Sequence, residues 1–358
     1  MPHTRSHRRC LVTGGAGFVG QHLVLKLLDA GWDVVVFDLR PLQGNEFTKV
    51  ESVVGNLNDE AQLVKALQGV DVVFHVATLS PTGANARNKK LMTQVNVDGT
   101  RTVVEACKKA GVGTLVYTSS SSVVFNGQDL VGCTEAQPYP DRFLDFYSET
   151  KMRGEKIVLD AASSMLATVS LRPSSIFGER DMLMVPTTVA KARQGKMKFM
   201  IGNGENLCDW TYVGNVAQAH LDAAEALLAG KKVSGKAYFI TNDEPRTFWG
   251  FMGDILEGLG YSRPSRKLPF GLIYAIAVVL QFIFWILSPF VQLSTDFTTF
   301  RVKLAACNRN FSCDAAKKDL GYRAPVPMDE AIKRTVAYFK PTWGKAAMDA
   351  KEAQGKTA

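Results

Sequence analysis

Only one stretch of this 358-residue chain reads as a long apolar run: Phe270 to Leu287, where Gln281 is the one strongly polar side chain. The six cysteines (Cys10, Cys107, Cys133, Cys208, Cys307, Cys313) form no C-x-x-C pair, and the five histidines form no cluster at metal-ligand spacing. A disulfide scaffold and a zinc module are thereby excluded, and the cysteines read as reduced thiols in a cytosol-facing protein. No apolar core follows the polar, basic Met1 to Arg9, which runs straight into Cys10 to Thr13, so nothing directs the bulk of the chain across a membrane. Repeats and low-complexity tracts are also missing. An acidic excess is lacking too: 42 Lys and Arg stand against 34 Asp and Glu, a net +8. Residues 1 to 262 hold 27 basic and 27 acidic side chains, and residues 263 to 358 hold 15 and 7, so the whole surplus lies in the last quarter. With 46% hydrophobic and 21% charged residues, disorder and collagen are out. A basic quarter that also carries the apolar run points to a membrane surface rather than to nucleic acid.

From Arg9 to Arg172 short β-rich runs alternate with amphipathic stretches, the pattern of an α/β, doubly wound parallel sheet covered on both faces. Expected strands are Cys10–Thr13, Asp33–Asp38, Ser52–Asn56, Asp71–Val76, Thr114–Ser119 and Ala167–Arg172, with helices at Val19–Ala30 and Leu91–Ala110. The expected division is a basic tail over 1–8, a Rossmann domain over 9–172 and a smaller substrate subdomain over 173–262, with helices at Asn215–Ala229 and Phe248–Leu259. A membrane-associated apolar segment over 263–294, closing helices over 295–340 and a polar tail over 341–358, expected to be frayed from Met348 to Ala358, complete it.

Thr13-Gly14-Gly15-Ala16-Gly17-Phe18-Val19-Gly20 follows the first strand and opens a helix. Gly14 permits a tight turn, Gly17 lets the backbone approach a pyrophosphate, and Gly20 allows close packing of helix on strand. Phe18 and Val19 open the helix whose N-terminus would face the phosphates. Asp38 ends the second strand, where a carboxylate accepts from a ribose hydroxyl and repels the 2′-phosphate of NADP. NAD is therefore the expected cofactor, with NADP left open by Arg40 two residues on. Asn56 and Leu57 fall where either an adenine contact or an ordinary strand-end turn fits.

Tyr147-Ser-Glu-Thr-Lys151 places a phenol and an ammonium four apart on one helix face. Oxidising an alcohol needs a base for its proton, and a neighbouring ammonium lowers a phenol that otherwise titrates near pH ~10. Thr118-Ser119-Ser120-Ser121-Ser122 follows the fifth strand, on the edge where open α/β sheets bind ligands, and offers a hydroxyl for the substrate oxygen.

In this order the motifs resemble an extended short-chain dehydrogenase/reductase. Tyr117 to Gly127, Arg172 to Gly178, Ile240 to Pro245 and Ser288 to Leu293 narrow the resemblance to the decarboxylating sterol-4α-carboxylate 3-dehydrogenases of the 3β-hydroxysteroid dehydrogenase group, over Arg9 to Phe339. The resemblance implies Tyr147, Lys151 and Ser120 as catalytic residues, with Ser119 and Ser121 as neighbouring choices for the serine. It also implies Asn96 as a support of the active site, Ala77 on the loop passing the cofactor, and Pro173 and Ser174 near the nicotinamide. Asn56 departs from a family position more often held by Asp. The implied activity is NAD-dependent oxidation of the 3β-hydroxyl of a 4α-carboxysterol with loss of CO2, in sterol biosynthesis. The product ketone is its own electron sink for decarboxylation, in keeping with a sequence that shows no pyridoxal, thiamine or metal motif. The rivals are a plain 3β-hydroxysteroid dehydrogenase/isomerase and a nucleotide-sugar epimerase. Arg172 and Arg180 stand as candidates for the carboxylate, with structural roles equally open.

Eighteen helical residues extend about 27 Å, marginal for a hydrocarbon core of ~30 Å. Closing helices at Phe311–Tyr322 and Met328–Phe339 would have to pack back on residues before 262, so both flanks belong on one side of a membrane. The expected form is a re-entrant or interfacial anchor broken at Ser288-Pro289, with a single span or a buried core helix as alternatives. The expected setting is the endoplasmic reticulum membrane with the catalytic part facing the cytosol. Expected partners are the sterol, the membrane surface, a second copy of the chain and other enzymes of sterol C4 demethylation, and no nucleic acid.

Overall fold

The computed structural model describes residues 8–80, 88–287 and 297–355. Seven parallel strands form its main sheet: β1 (Arg9–Thr13), β2 (Asp33–Asp38), β3 (Glu51–Val54), β4 (Val72–His75), β5 (Thr114–Thr118), β6 (Ala167–Pro173) and β7 (Lys236–Ile240). Their spatial order is β7-β6-β5-β4-β1-β2-β3, so the order reverses between β1 and β4. Alternation of side chains buries both faces. Cys10 and Val12 of β1 join Val34 and Val36 of β2 under one cover, while Leu11, Val35 and Phe37 point to the other. Helices α1 (Phe18–Asp29) and α7 (Val213–Leu228) cover the first face; α2 (Glu60–Ala66), α4 (Gly99–Ala110) and α5 (Phe146–Asp160) cover the second.

The sheet does not stop at Arg172 as the sequence division expects. Strand β7 pairs with β6 and α7 packs on α1, so residues assigned to the substrate subdomain complete the dinucleotide sheet. The strand expected at Ser52–Asn56 ends at Val54. The helix expected at Leu91–Ala110 is interrupted: α3 (Lys89–Thr93) passes into a π-turn over Gln94–Asp98 before α4 begins. Such turns displace one residue from helical register, and here that turn contains Asn96.

Beyond the sheet, Leu130–Cys133, Leu207–Cys208, Arg246–Thr247 and Arg309–Phe311 form a small four-stranded sheet. Its neighbours α6 (Met184–Arg193) and α8 (Phe248–Gly258) enclose a cluster in which Trp210 stacks on Phe251 at 3.9 Å. The expected helix at Phe311–Tyr322 is instead the end of that strand followed by α11 (Asp314–Asp319). Helix α12 (Met328–Trp343) closes the subdomain. The tail is not frayed over its length: α13 (Lys345–Gly355) is held by Arg193, which pairs with Asp349 at 2.8 Å and Glu352 at 2.5 Å.

Helix α9 (Phe270–Leu287) rests on α10 (Thr299–Ala306) through a narrow stripe, Ile273 and Ala277 against Val302. Among the described residues much of its remaining apolar surface is exposed: Leu272 is 57% exposed, Val279 56%, Phe282 59% and Trp285 72%. It is therefore not a buried core helix, and no helix among the described residues is long and apolar enough to cross a membrane. Ser288-Pro289, the expected break, lies outside the described residues, as does the Ser288–Leu293 string.

Candidate active site

The glycine loop sits where the strand order reverses. Gly14 has φ +70° and its amide donates to Phe37 O at 2.9 Å; a Cβ there would lie 2.6 Å from Ala77 Cα, so the turn after β1 and the loop after β4 can approach only with glycine. A Cβ at Gly20 would lie 2.1 Å from Gly14 O, which fixes α1 tightly against the loop. Gly17 is the N-cap of α1 and brings no side chain to cap it, so the first-turn amides remain available for an anion. Asp38 accepts from Ala16 N and Arg40 N at 3.1 Å each, one bond per oxygen, and keeps lone pairs for a ribose hydroxyl. The loop, helix end and acid together fit a dinucleotide.

Asp145 caps α5, accepting from Ser148 N at 2.9 Å and Ser148 Oγ at 2.6 Å, and this starts the helix one residue before Tyr147. Lys151 is buried, donates to Thr118 O at 2.6 Å and lies 4.3 Å from the centre of the Tyr117 ring. The catalytic helix is thus tied to the end of β5, where the serines follow. Ser120 and Ser122 are partly exposed and share a hydrogen bond of 2.9 Å, whereas Ser119 and Ser121 are buried.

The electrostatics differ from the expectation that the lysine lowers the phenol. Burial pushes Tyr147 up to about 12, and the Asp145 carboxylate adds to the rise; a hydrogen bond with Thr78 works against it. Burial pushes Lys151 down to about 7, with Glu155 opposing. The ammonium is directed at a backbone carbonyl and an aromatic face, so desolvation decides both groups.

Asn96 is fully engaged. Its Oδ1 accepts from Leu79 N at 2.7 Å and Thr78 Oγ1 at 3.1 Å, and its Nδ2 donates to Thr150 Oγ1 at 3.0 Å, joining the loop after β4 to α5. Glu155, one turn beyond Lys151, is buried with Arg172 Nη2 at 2.7 Å, Tyr139 OH at 2.6 Å and Ser170 Oγ at 2.8 Å. Arg172 therefore clamps α5 to β6. Arg180 donates to Gln21 and Glu46, each at 2.6 Å, on the cofactor side. Both arginines thus have structural partners, while Arg172 Nη1 is buried with no hydrogen-bond partner among the described residues. Pro173 is buried at the end of β6, and the Ser174 hydroxyl is buried with no hydrogen-bond partner among the described residues. Asn56 is exposed and its Oδ1 accepts from Asn58 N at 3.0 Å, and Leu57 packs beside Gly99.

Thr78, Asp145 and Glu155 escaped the sequence reading. Asp145 carries a legible signal as a capping residue before an amphipathic run, and Glu155 as the next residue on the Lys151 face. Nothing in the sequence marks Thr78. Among the described residues no group of His, Cys, Asp and Glu is arranged to hold a metal.

A parallel sheet that reverses at its glycine loop, with Tyr147 and Lys151 on the helix beside the fifth strand, defines an extended short-chain dehydrogenase/reductase fold. The chain superposes on DesIV, a dTDP-glucose 4,6-dehydratase from Streptomyces venezuelae solved with NAD and TYD, with TM-score 0.69 and 22% identity over 95% of this chain and 99% of that one. Residues 11–270 match the 3-beta hydroxysteroid dehydrogenase/isomerase family, and the chain belongs to it. It is 46% identical to the Mus musculus sterol-4-alpha-carboxylate 3-dehydrogenase, decarboxylating, over 93% of this chain and 91% of the relative. It is 38% identical to the Shewanella oneidensis 2-alkyl-3-oxoalkanoate reductase, over 91% of this chain and 85% of the relative.

Proposed function

We propose that the protein is an NAD-dependent sterol-4α-carboxylate 3-dehydrogenase, oxidising a 3β-hydroxyl and releasing the C4 carboxyl as CO2. The 46% identity to the mouse enzyme over nearly the full length of both chains carries this reading. Gly14, Gly17 and Gly20, with the α1 amides and Asp38, hold the dinucleotide. NAD⁺, when bound, supplies a hydride acceptor and a positive charge. Tyr147 takes the hydroxyl proton as its phenolate, a form that burial opposes and that the positive charge of bound NAD⁺ beside the Lys151 ammonium would favour, and Ser120 orients the substrate oxygen. Lys151 holds the end of β5 in place and places its charge in the same desolvated site. Asn96 and Thr78 fix the loop that faces the phenol. The new ketone stands β to the carboxylate and receives the electron pair as the C–C bond breaks, so this chain needs no separate group for decarboxylation.

The Shewanella relative's name describes a 3-oxo carboxylate, a ketone with the same relation to its carboxylate, and supplies the second reading: reduction without loss of carbon. Supplying a 4α-carboxysterol with NAD⁺ and measuring NADH and CO2 together separates them. Equal yields of both products are expected; NADH without CO2 sinks the decarboxylating reading, and absence of both sinks the sterol reading.

The proposal extends to location. The exposed face of α9 follows directly on Arg266–Leu268, a strand paired with Phe199–Ile201, and Lys196, Lys198, Arg266 and Lys267 are all exposed there. Basic side chains beside an uncovered apolar helix suit the boundary of an anionic membrane, at roughly 1 kcal/mol per well-placed cation. The enzyme lies on the endoplasmic reticulum membrane with its catalytic part in the cytosol, next to a substrate dissolved in lipid. Flotation of the full chain with anionic vesicles tests the contact: Phe282→Asp with Trp285→Asp abolishes it, and undiminished flotation would refute it.

A further inference from the structure

A substrate with a carboxylate on the carbon next to the reacting one presents a negative charge that must be desolvated to enter the site, which requires a cation or several donors facing it. The cations already described have other partners: Lys151 donates to Thr118 O, Arg180 to Gln21 and Glu46, and Arg172 is ion-paired with Glu155, although its Nη1 has no hydrogen-bond partner among the described residues.

Arg309 differs. It lies on the small sheet, between Leu130–Cys133, the strand that follows the serine loop, and Leu207–Cys208. Its Nη1 is 3.4 Å from Ser175 Oγ and its Nη2 donates to Leu304 O at 3.1 Å, while its Nε is buried with no hydrogen-bond partner among the described residues. No carboxylate among the described residues forms an ion pair with it. Asp209 is near enough for its charge to be felt, yet its Oδ2 accepts from Phe311 N at 2.6 Å and Asn310 Nδ2 at 3.1 Å.

The link from this guanidinium to the reacting edge runs through Ser175. Thr118 of β5 pairs with Leu171 of β6, so Ser120 and Pro173 each stand two residues past a paired position, at the same level of the carboxyl edge. The chain leaves that edge through Ser174, whose buried hydroxyl has no partner among the described residues, and Ser175, held at φ +40°, whose hydroxyl faces Arg309. A planar guanidinium with no ion-pair partner among the described residues therefore stands beside the loop that runs from the catalytic edge into the substrate subdomain. Because Arg309 sits within a strand and is gripped by Leu304 O, it is held in place before substrate arrives.

We propose that Arg309 binds the C4 carboxylate of the substrate and selects carboxylated over carboxyl-free 3β-hydroxysterols. This rests on the sterol-carboxylate reading above. Guanidinium and carboxylate match as planar, two-point partners, a geometry that lysine's single ammonium does not reproduce.

The test compares one sterol with and without its 4α-carboxyl in wild type, Arg309→Met and Arg309→Lys, using NADH release and the Kd for NAD. Arg309→Met is expected to lower the kcat/KM preference for the carboxylated sterol roughly 10- to 100-fold, chiefly through KM, with NAD affinity kept within about twofold as the check on folding. Arg309→Lys is expected to restore part of the preference. An unchanged preference in Arg309→Met, or equal loss on both sterols, overturns the assignment while wild-type turnover keeps the functional reading intact. Failure of the wild type to oxidise the carboxylated sterol at all removes that reading, and the assignment with it.

Discussion

Strand β4 and helix α9 are built from similar apolar side chains and meet opposite surroundings. Val72, Val73 and Phe74 are 0% exposed between two layers of helices, whereas α9 buries Ile273 and Ala277 and leaves Phe282 and Trp285 more than half exposed. The strand lies inside a structure that covers it on both sides; the helix is apolar all round but, among the described residues, packs chiefly on α10. Apolar character therefore decided that α9 would seek cover, and the described residues supply it along one stripe. Charge follows the same division, since the first 262 residues balance to zero and the basic excess lies around and beyond α9.

Four measurements probe that contrast. At the edge of the sheet, Tyr147→Phe removes the proton acceptor and should lower turnover by roughly 10²- to 10⁴-fold while leaving NAD affinity near wild type. Substantial remaining activity would take the chemistry away from this edge. Inside the sheet, Phe74→Ala should destabilise the fold by about 3–5 kcal/mol, read from denaturant midpoints, because the ring is enclosed on all sides. A cost below about 1 kcal/mol would mean that the sheet is looser than its burial indicates.

Acidification should also act on the sheet. His75 and His220 are buried and kept neutral, pushed from 6.5 down to about 3 and about 4 by desolvation. Above pH 6.5 folded and unfolded chains are alike at these positions; below it the unfolded chain takes up protons that the folded chain refuses. Stability should therefore fall as pH drops from 6.5 towards 4, by roughly 1.4 kcal/mol per pH unit for each histidine. In His220→Gln the slope should be reduced by one histidine's share; an unchanged slope would show that other groups control it. The smallest effect belongs to α9. Trp285→Ser, at a side chain 72% exposed, should change stability by less than about 0.5 kcal/mol, although it weakens vesicle binding. A large loss of stability would place α9 inside a packed interface.

Legibility followed local geometry. The glycine loop was readable because Gly14 and Gly20 satisfy steric demands set within a few residues of sequence, and the pair Tyr147 and Lys151 because four residues make one helical turn. Strand β7 was missed because Lys236–Ile240 is short and joins β6 more than sixty residues away, a pairing no local pattern announces. The π-turn that carries Asn96 and the helix at Lys345–Gly355 escaped for similar reasons: one is fixed by contacts to Thr78, Leu79 and Thr150, the other by Arg193.

The sequence by itself determined the dinucleotide loop, the acid at the end of β2, the alternation that makes a two-faced sheet, and the placement of all excess charge in the last quarter. These depend on backbone sterics, side-chain periodicity and composition, which short segments express without help. Tertiary structure alone decided that Arg172 is absorbed by Glu155 while Arg309 faces Ser175, that burial raises the Tyr147 phenol and lowers the Lys151 ammonium, and that one stripe of α9 is covered. Each of those outcomes depends on which distant groups surround a side chain and exclude water from it, and that arrangement exists only once the chain has folded.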